Sequence, residues 1–295
     1  MLIIPANSIA VTPATQKAIF GFGIIGSVTG VTNLVSSSGV VATDVAAVGT
    51  ARQRLAAASY GEDKALFAFG HTGSYVNTRN LVNNSGVVAS DATGAGTARR
   101  QSAAAGYGGD KAIFGYGYNG SNLSVSNLVN NSGVVAADVT GVGTARRQLA
   151  AVSYGGDKAI FSHGSTHVSN LVSNLGVVAS DVAGVGTDRY GLAAASYDGD
   201  KAILGYGYAG GNVSLTNLIS NSGVVAADVT GVGTARAYLS AVGYGGDKGM
   251  FAYGEVIGNV SLKNLVSNSG VVAADVTGVG TARRELAAAG FSLNA

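Results

Sequence analysis

The chain contains no cysteine and no tryptophan, and only two prolines, Pro5 and Pro13, among 295 residues. Without cysteine no disulfide framework can form, which is compatible with folding in a reducing cytoplasm. No apolar run approaches the roughly 18–20 residues that cross a bilayer, so no membrane span is expected. The N-terminus, MLIIPANSIAVTPAT, has no basic residue ahead of its short apolar stretch and makes a poor signal peptide. Charge is sparse and nearly balanced, with 18 basic and 16 acidic side chains. A nucleic-acid partner, which needs a clustered basic face, is therefore not expected. G-x-S-x-G, H-E-x-x-H and P-loop patterns are absent. The G-x-G occurrences, such as Gly115-Tyr116-Gly117, open no helix and so do not read as a dinucleotide fingerprint.

What is abundant is glycine, 46 residues, together with valine, alanine and tyrosine. High glycine with little proline and positive mean hydropathy predicts many short strands joined by tight turns rather than disorder. The text also repeats. TARRQLAAVSYGGDKAIFSHG from Thr144 returns, with changes, from Thr50, Thr97, Thr187 and Thr234. The anchor lysines Lys17, Lys64, Lys111, Lys158, Lys201 and Lys248 are spaced by 47, 47, 47, 43 and 47 residues. Arg52, Arg99, Arg146, Arg189, Arg236 and Arg283 mark the same six units. The short unit lost its four residues between Phe161 and Leu171, and an indel confined to one place marks a loop.

Each unit divides into four short strands. From Arg99 these are Ser102 to Tyr107, Lys111 to Tyr116, Ser124 to Val129 and Val134 to Val139. Gly108-Gly109 between the first two signals a two-residue hairpin, because such turns need positive φ. In the second strand Ala112, Phe114 and Tyr116 share one face at period two. Four antiparallel strands in about 47 residues, six times over, predict a six-bladed β-propeller with one repeat per blade. Glycine and β-branched residues forbid helical repeats, and parallel β-helices have shorter periods. The last anchor is followed by one orphan first strand, Arg284 to Phe291, while Lys17 lacks a good one before it. The ring is thus expected to close by pairing that C-terminal strand with Lys17 to Phe22, leaving no edge exposed. The propeller would span residues 16–295, with residues 1–15 as an N-terminal arm against a neighbouring subunit or an extra strand. The small residues of the first two strands suit a crowded axis.

Anchor positions take 12 of the 18 basic residues. Asp44, Asp91, Asp138, Asp181, Asp228 and Asp275, and the turn residues Asp63, Asp110, Asp157, Asp200 and Asp247, take 11 of the 16 acids. These are expected to cap turns or pair with nearby Arg or Lys, since no unit has the dense spacing of a calcium loop. Asn33, Asn80, Asn127, Asn170, Asn217 and Asn264 read as turn or backbone ties. Recurrence in every unit points to a scaffold, because catalysis needs a singular constellation. Only His71, His163 and His167 are histidines, and the pair in the shortened loop reads as exposed loop residues. No catalytic residue, metal site or cofactor is expected. Tyr118 and Tyr208 lie past the second strand, and with Asn122 and Asn212 they are the candidate ligand-binding residues.

The paired strands reading LAAxSYGGDKAIFGYG, opened by an arginine, resemble kelch-type propeller repeats over about residues 16–292. The kelch tryptophan is missing. Regular arrays with YGGDKAIFGYG and VVAADVTGVGTARR text also resemble virion or tail-associated proteins of tailed bacteriophages. That resemblance implies a non-catalytic structural or interaction module of a virion: capsid decoration, tail or fibre. It would be assembled in the host cytoplasm and contact other virion proteins or itself. The alternative is a lectin-like propeller, cytoplasmic or secreted, holding surface glycans on the loops Tyr118 to Asn122 and Tyr208 to Asn212. A third reading, implied by the kelch resemblance, is a sugar isomerase with a polar cluster unique to one blade of the channel.

Overall fold

The structure, a computed structural model, describes residues 15–294, and among them are eighteen strands and no helix. The expected arm over residues 1–15 lies outside the described residues except for Thr15. The strands begin β1 (Lys17–Ile24), β2 (Val28–Val35), β3 (Ala56–Tyr60), β4 (Lys64–Ala68), β5 (Arg79–Val82) and β6 (Ala103–Tyr107). They continue β7 (Lys111–Tyr118), β8 (Asn122–Val129), β9 (Ala150–Tyr154), β10 (Lys158–Ser162), β11 (Ser169–Val172) and β12 (Ala193–Tyr197). The last are β13 (Lys201–Gly205), β14 (Thr216–Ile219), β15 (Ser240–Tyr244), β16 (Lys248–Ala252), β17 (Lys263–Val266) and β18 (Ala287–Phe291). They form six three-stranded antiparallel sheets. Five are built from consecutive strands, and the sixth has the order β18-β1-β2. The orphan C-terminal copy therefore pairs with β1, from Lys17 opposite Phe291 to Gly21 opposite Ala287.

The expected two-residue hairpin is a three-residue turn, since Tyr107 pairs with Lys111 and Asp110 joins the turn; Gly108 and Gly109 have φ of 61° and 79°. Both values lie where glycine is unstrained. The middle strand departs from simple alternation. A bulge between Gly115 and Gly117 puts Tyr116 at φ 62°. Ala112 and Phe114 pack toward the preceding sheet, but Tyr116 joins Ile113 against the following one. The face shared by Ala112, Phe114 and Tyr116 in the sequence reading is thus corrected by one left-handed residue. Phe22, Phe69, His163, Tyr206 and Tyr253 repeat that conformation.

A fourth strand per unit does not form. The segment expected as a strand from Val134 to Val139 makes only two isolated bridges, Val135 to Val129 and Val139 to Ser126. The Asn127 side chain occupies the ladder between them. Its Nδ2 donates to the Ala136 carbonyl at 3.0 Å and to Asp138 at 2.9 Å.

Each of six hydrophobic clusters is shared by two sheets that follow one another, and one of them joins β15 and β16 to β1. The first strands touch in the cyclic order β3, β6, β9, β12, β15, β18 and back to β3. Backbone hydrogen bonds follow the same cycle. Gln101 N donates to Arg54 O, and the series runs through Gln148, Gly191, Tyr238 and Glu285 back to Arg54, at 2.7–3.1 Å. At the opposite end of the first strands a second cycle runs from turn to turn, as in Gly108 N to Asp157 O at 2.7 Å, and closes through Gly245 N to Gln16 O and Ser292 N to Asp63 O. Each such bond contributes about 1 kcal/mol net, and the cycles tie every sheet to its two neighbours.

Candidate functional site

The repeated polar residues converge between the sheets. Arg99 is fully buried, and its Nη2 donates to Asn127 Oδ1 at 2.6 Å. Asn127 Nδ2 donates in turn to Asp138, whose carboxylate also accepts from Thr97 N and Oγ1 at 3.0 and 2.5 Å. The guanidinium lies 3.9 Å from the centroid of Phe69, the left-handed aromatic of the preceding unit. All six anchor arginines are 0–2% exposed and make the same bond to their asparagines. The expected Asp–Arg pairing is indirect at most junctions. Arg99 Nη1 and Asp138 stand 3.8 Å apart, and the asparagine relays the contact. Burial pushes Arg52 and Arg99 down to about 10, with Asp91 and Asp138 opposing, so both stay charged at neutral pH. Burial pushes the six aspartates up, but hydrogen bonds from threonine and asparagine, aided by the arginine, outweigh it and hold each below the usual carboxylate range. Chemically this is a structural joint, its side chains turned inward on one another, although Arg99 and Arg189 each keep a buried Nε without a partner.

Four turn aspartates, Asp63, Asp110, Asp157 and Asp247, pair with the anchor lysines that follow them on the surface, as in Lys111 Nζ to Asp110 at 2.5 Å, while Lys201 pairs with Asp198. Exposed pairs of this kind add little stability.

The two histidines of the short loop are not alike. His163 is fully buried at the left-handed aromatic position, and its Nδ1 meets Ser162 Oγ at 2.9 Å. Burial, then the nearby Arg189, pushes it down to about 3. The expectation of an exposed loop residue is therefore wrong for His163. His167 is exposed and paired with Asp188. No three His, Cys, Asp or Glu among the described residues gather where they could hold a metal ion.

Tyr118 and Asn122 pair across the hairpin end of β7 and β8. Tyr118 is half-buried with the Arg147 guanidinium 4.3 Å from its ring, and Asn122 is exposed. Tyr208 and Asn212 form the equivalent bridge. The Asn212 amide donates to Glu255 O and Val256 O of the next unit, both at 3.1 Å. Tyr208 stacks at 5.3 Å on Tyr190. The two pairs belong to different sheets and do not meet in one site.

Sequence reasoning missed a second group. The two positions after each anchor arginine differ among the units: Gln53-Arg54, Arg100-Gln101, Arg147-Gln148, Tyr190-Gly191, Ala237-Tyr238 and Arg284-Glu285. The second residue of each pair lies in the first backbone cycle at φ 55–62°. In five units the first bridges to the hairpin end that carries the loop residues, as Arg100 does to Tyr118 and Tyr190 to Tyr208; Arg147, beside the shortened loop, makes no such bridge. Side chains that vary thus gather at one end of the first strands. The second residue of each pair lines the mouth of a channel, a cavity of about 110 Å³ that also touches Leu55, Leu149, Leu192, Leu239 and Leu286, with Ser102 in the sixth place. Arg54 Nε donates to Glu285 Oε2 at 2.8 Å across the last junction. The legible signal was divergence inside otherwise constant text.

No protein family model matches the chain, and no curated protein matches it in sequence.

Proposed function

We propose that the chain is a six-bladed β-propeller, closed by its C-terminal strand, that serves as a non-catalytic structural and interaction module of a bacteriophage virion. The observation that carries the interaction reading is the division of labour among repeated positions. The constant charged and amide side chains are turned inward on one another at the six junctions. The varying ones gather at one end of the first strands. A scaffold that repeats while one face diverges suits recognition of a partner by position rather than by chemistry at a single centre. The cyclic hydrogen bonds support the propeller, with each blade built of three full strands and a fourth reduced to two bridges. A belt of valines on that outer segment, Val40, Val87, Val134, Val177, Val224 and Val271, each 50–65% exposed, supplies apolar surface for contact with other virion proteins or with further copies.

The test is copurification with native particles followed by cryo-EM. Density for the chain at regular positions on a capsid, tail or fibre supports the reading. A protein that remains free and monomeric through particle purification overturns the virion assignment.

A further inference from the structure

We infer that Arg147, Tyr118 and Asn122, with Arg100 beside the same tyrosine ring, form a binding site for the carboxylate of an acidic sugar or simple organic acid, whether or not the chain is carried on a particle. Four observations lead there.

First, the chain holds its own precedent. Arg284, the residue after an anchor arginine, donates from Nη1 to Glu255 Oε1 of the preceding hairpin at 2.7 Å. Asn259, bridged to Glu255 across that hairpin, has its Oδ1 3.5 Å from the same nitrogen. Arg147 holds the equivalent place after Arg146, and Tyr118 precedes it by the same distance in sequence as Glu255 precedes Arg284. Asn122, paired with Tyr118, corresponds to Asn259. Of the Arg284 arrangement only the carboxylate is missing.

Second, the arginines have no counter-ion. Arg54 and Arg284 are each held by a glutamate, whereas Arg100 and Arg147 form no ion pair among the described residues. Their guanidiniums lie 5.5 and 4.3 Å from the centroid of the Tyr118 ring, so two positive charges share one aromatic. Asp188, near the shortened hairpin, is taken by His167. Both arginines are only half-buried, which leaves them within reach of a ligand.

Third, the four-residue deletion frees an amide. Asn212 Nδ2 donates to Glu255 O and Val256 O, and Asn259 Nδ2 to Ile24 O and Ile25 O, in both cases on the hairpin of the next unit. The hairpin that follows Asn122 is the shortened one. Asn122 is exposed and makes no side-chain hydrogen bond among the described residues. An antiparallel bridge between Leu123 and Arg146 sets Asn122 beside Arg147. The Tyr208 loop lacks this combination, since Ala237 stands in the place of Arg147 and the Asn212 amide is already bonded.

Fourth, the donors fix the class of ligand. A guanidinium fork matches a planar carboxylate through two parallel hydrogen bonds, and the Asn122 amide supplies a further donor. A cation is repelled by both arginines. Tyr118 is half-buried, and its remaining ring surface accepts the C–H groups of a sugar.

The experiment is NMR titration of the full chain at constant ionic strength with sodium D-glucuronate, sodium acetate, sodium phosphate and D-glucose. Wild type is expected to bind glucuronate at millimolar concentration, with acetate competing. Equal affinity for the two would show that the carboxylate alone is recognised, and tighter glucuronate that the sugar ring contributes; both support the site. Arg147→Gln installs the residue that Gln53 already provides at this place, and Tyr118→Glu the one that Glu255 provides. Each should weaken binding by about tenfold or more with little change in thermal unfolding, Tyr118→Glu because its own carboxylate replaces that of the ligand. Arg284→Gln should bind as wild type does. Failure of wild type to bind either carboxylate overturns the inference. So does binding that survives Arg147→Gln and Tyr118→Glu, equal binding of D-glucose, or tighter binding of phosphate than of both carboxylates.

Discussion

Arg99 and Asn127 are both fully buried and lie 2.6 Å apart, guanidinium nitrogen to amide oxygen. The asparagine satisfies a charge that water cannot reach, and it links that charge to Asp138 on the far side. Asn127→Leu keeps the volume and removes the link. We expect it to cost about 2–4 kcal/mol in urea unfolding, because the arginine stays buried without its acceptor. Adding Arg99→Met to that variant should recover part of the loss. Strict additivity of the two changes would show that the residues do not act together.

His163 stands where the other units carry phenylalanine or tyrosine, and its Nε2 is buried without a partner. Its folded value is about 3, below the ordinary 6.5. Above pH 6.5 both folded and unfolded forms are neutral and stability is complete. As pH falls from 6.5 toward 3 the unfolded chain takes the proton first, and stability drops by on the order of 4 kcal/mol. His163→Tyr should remove this dependence. It should also raise the Tm at neutral pH if the new hydroxyl finds the Val185 carbonyl, as Tyr116 finds that of Val142. Unchanged pH dependence in the variant would place the titration elsewhere.

The six junction aspartates give a second acid dependence. Each is held below its usual range in the folded state. The stability they contribute is present above about pH 4 and is lost as pH falls further, since the unfolded carboxylates protonate first. Denaturant midpoints should therefore fall steeply below that pH. Asp138→Asn should lower the midpoint at pH 7 and flatten the acid limb.

Chains lacking residues 285–295 should lose at least about 3 kcal/mol and aggregate, because β1 then offers an unpaired edge and Phe291 leaves its cluster. A synthetic peptide covering residues 284–295 should restore the Tm when added in trans. Failure of the peptide to bind would mean that the strand matters only while covalently attached.

The valine belt separates assembly from folding. Replacing Val87, Val134 and Val224 by threonine should shift stability by no more than about 0.5 kcal/mol per site. If the belt is the assembly surface, incorporation into particles falls, as a sedimentation assay would read.

Most of the fold was legible because the repeat states it six times. Strand positions, the Gly108-Gly109 turn and the partner of β1 all follow from period and spacing. The fourth strand was not legible, since Val134 to Val139 has strand composition and only the geometry of Asn127 shows why its ladder breaks. The reversal at Tyr116 was hidden for a related reason: left-handed backbone at an aromatic leaves no mark in the hydrophobic pattern. Site residues proved hardest. Tyr118 and Tyr208 drew notice as aromatics beyond a strand, whereas Gln101 or Gly191 is unremarkable until the chain brings six such positions into one rim.

The pairing of β1 with β18 also sets an order of events during synthesis. The sheet of β1 and β2 lacks its third strand until β18 has been made. At roughly 5–20 residues per second, the stretch from Ile24 to Ala287 takes on the order of ten to fifty seconds to make. Through that interval β1 keeps an open edge, and a β18 supplied by another chain fills it as well as its own does, so crowded translation favours exchanged dimers.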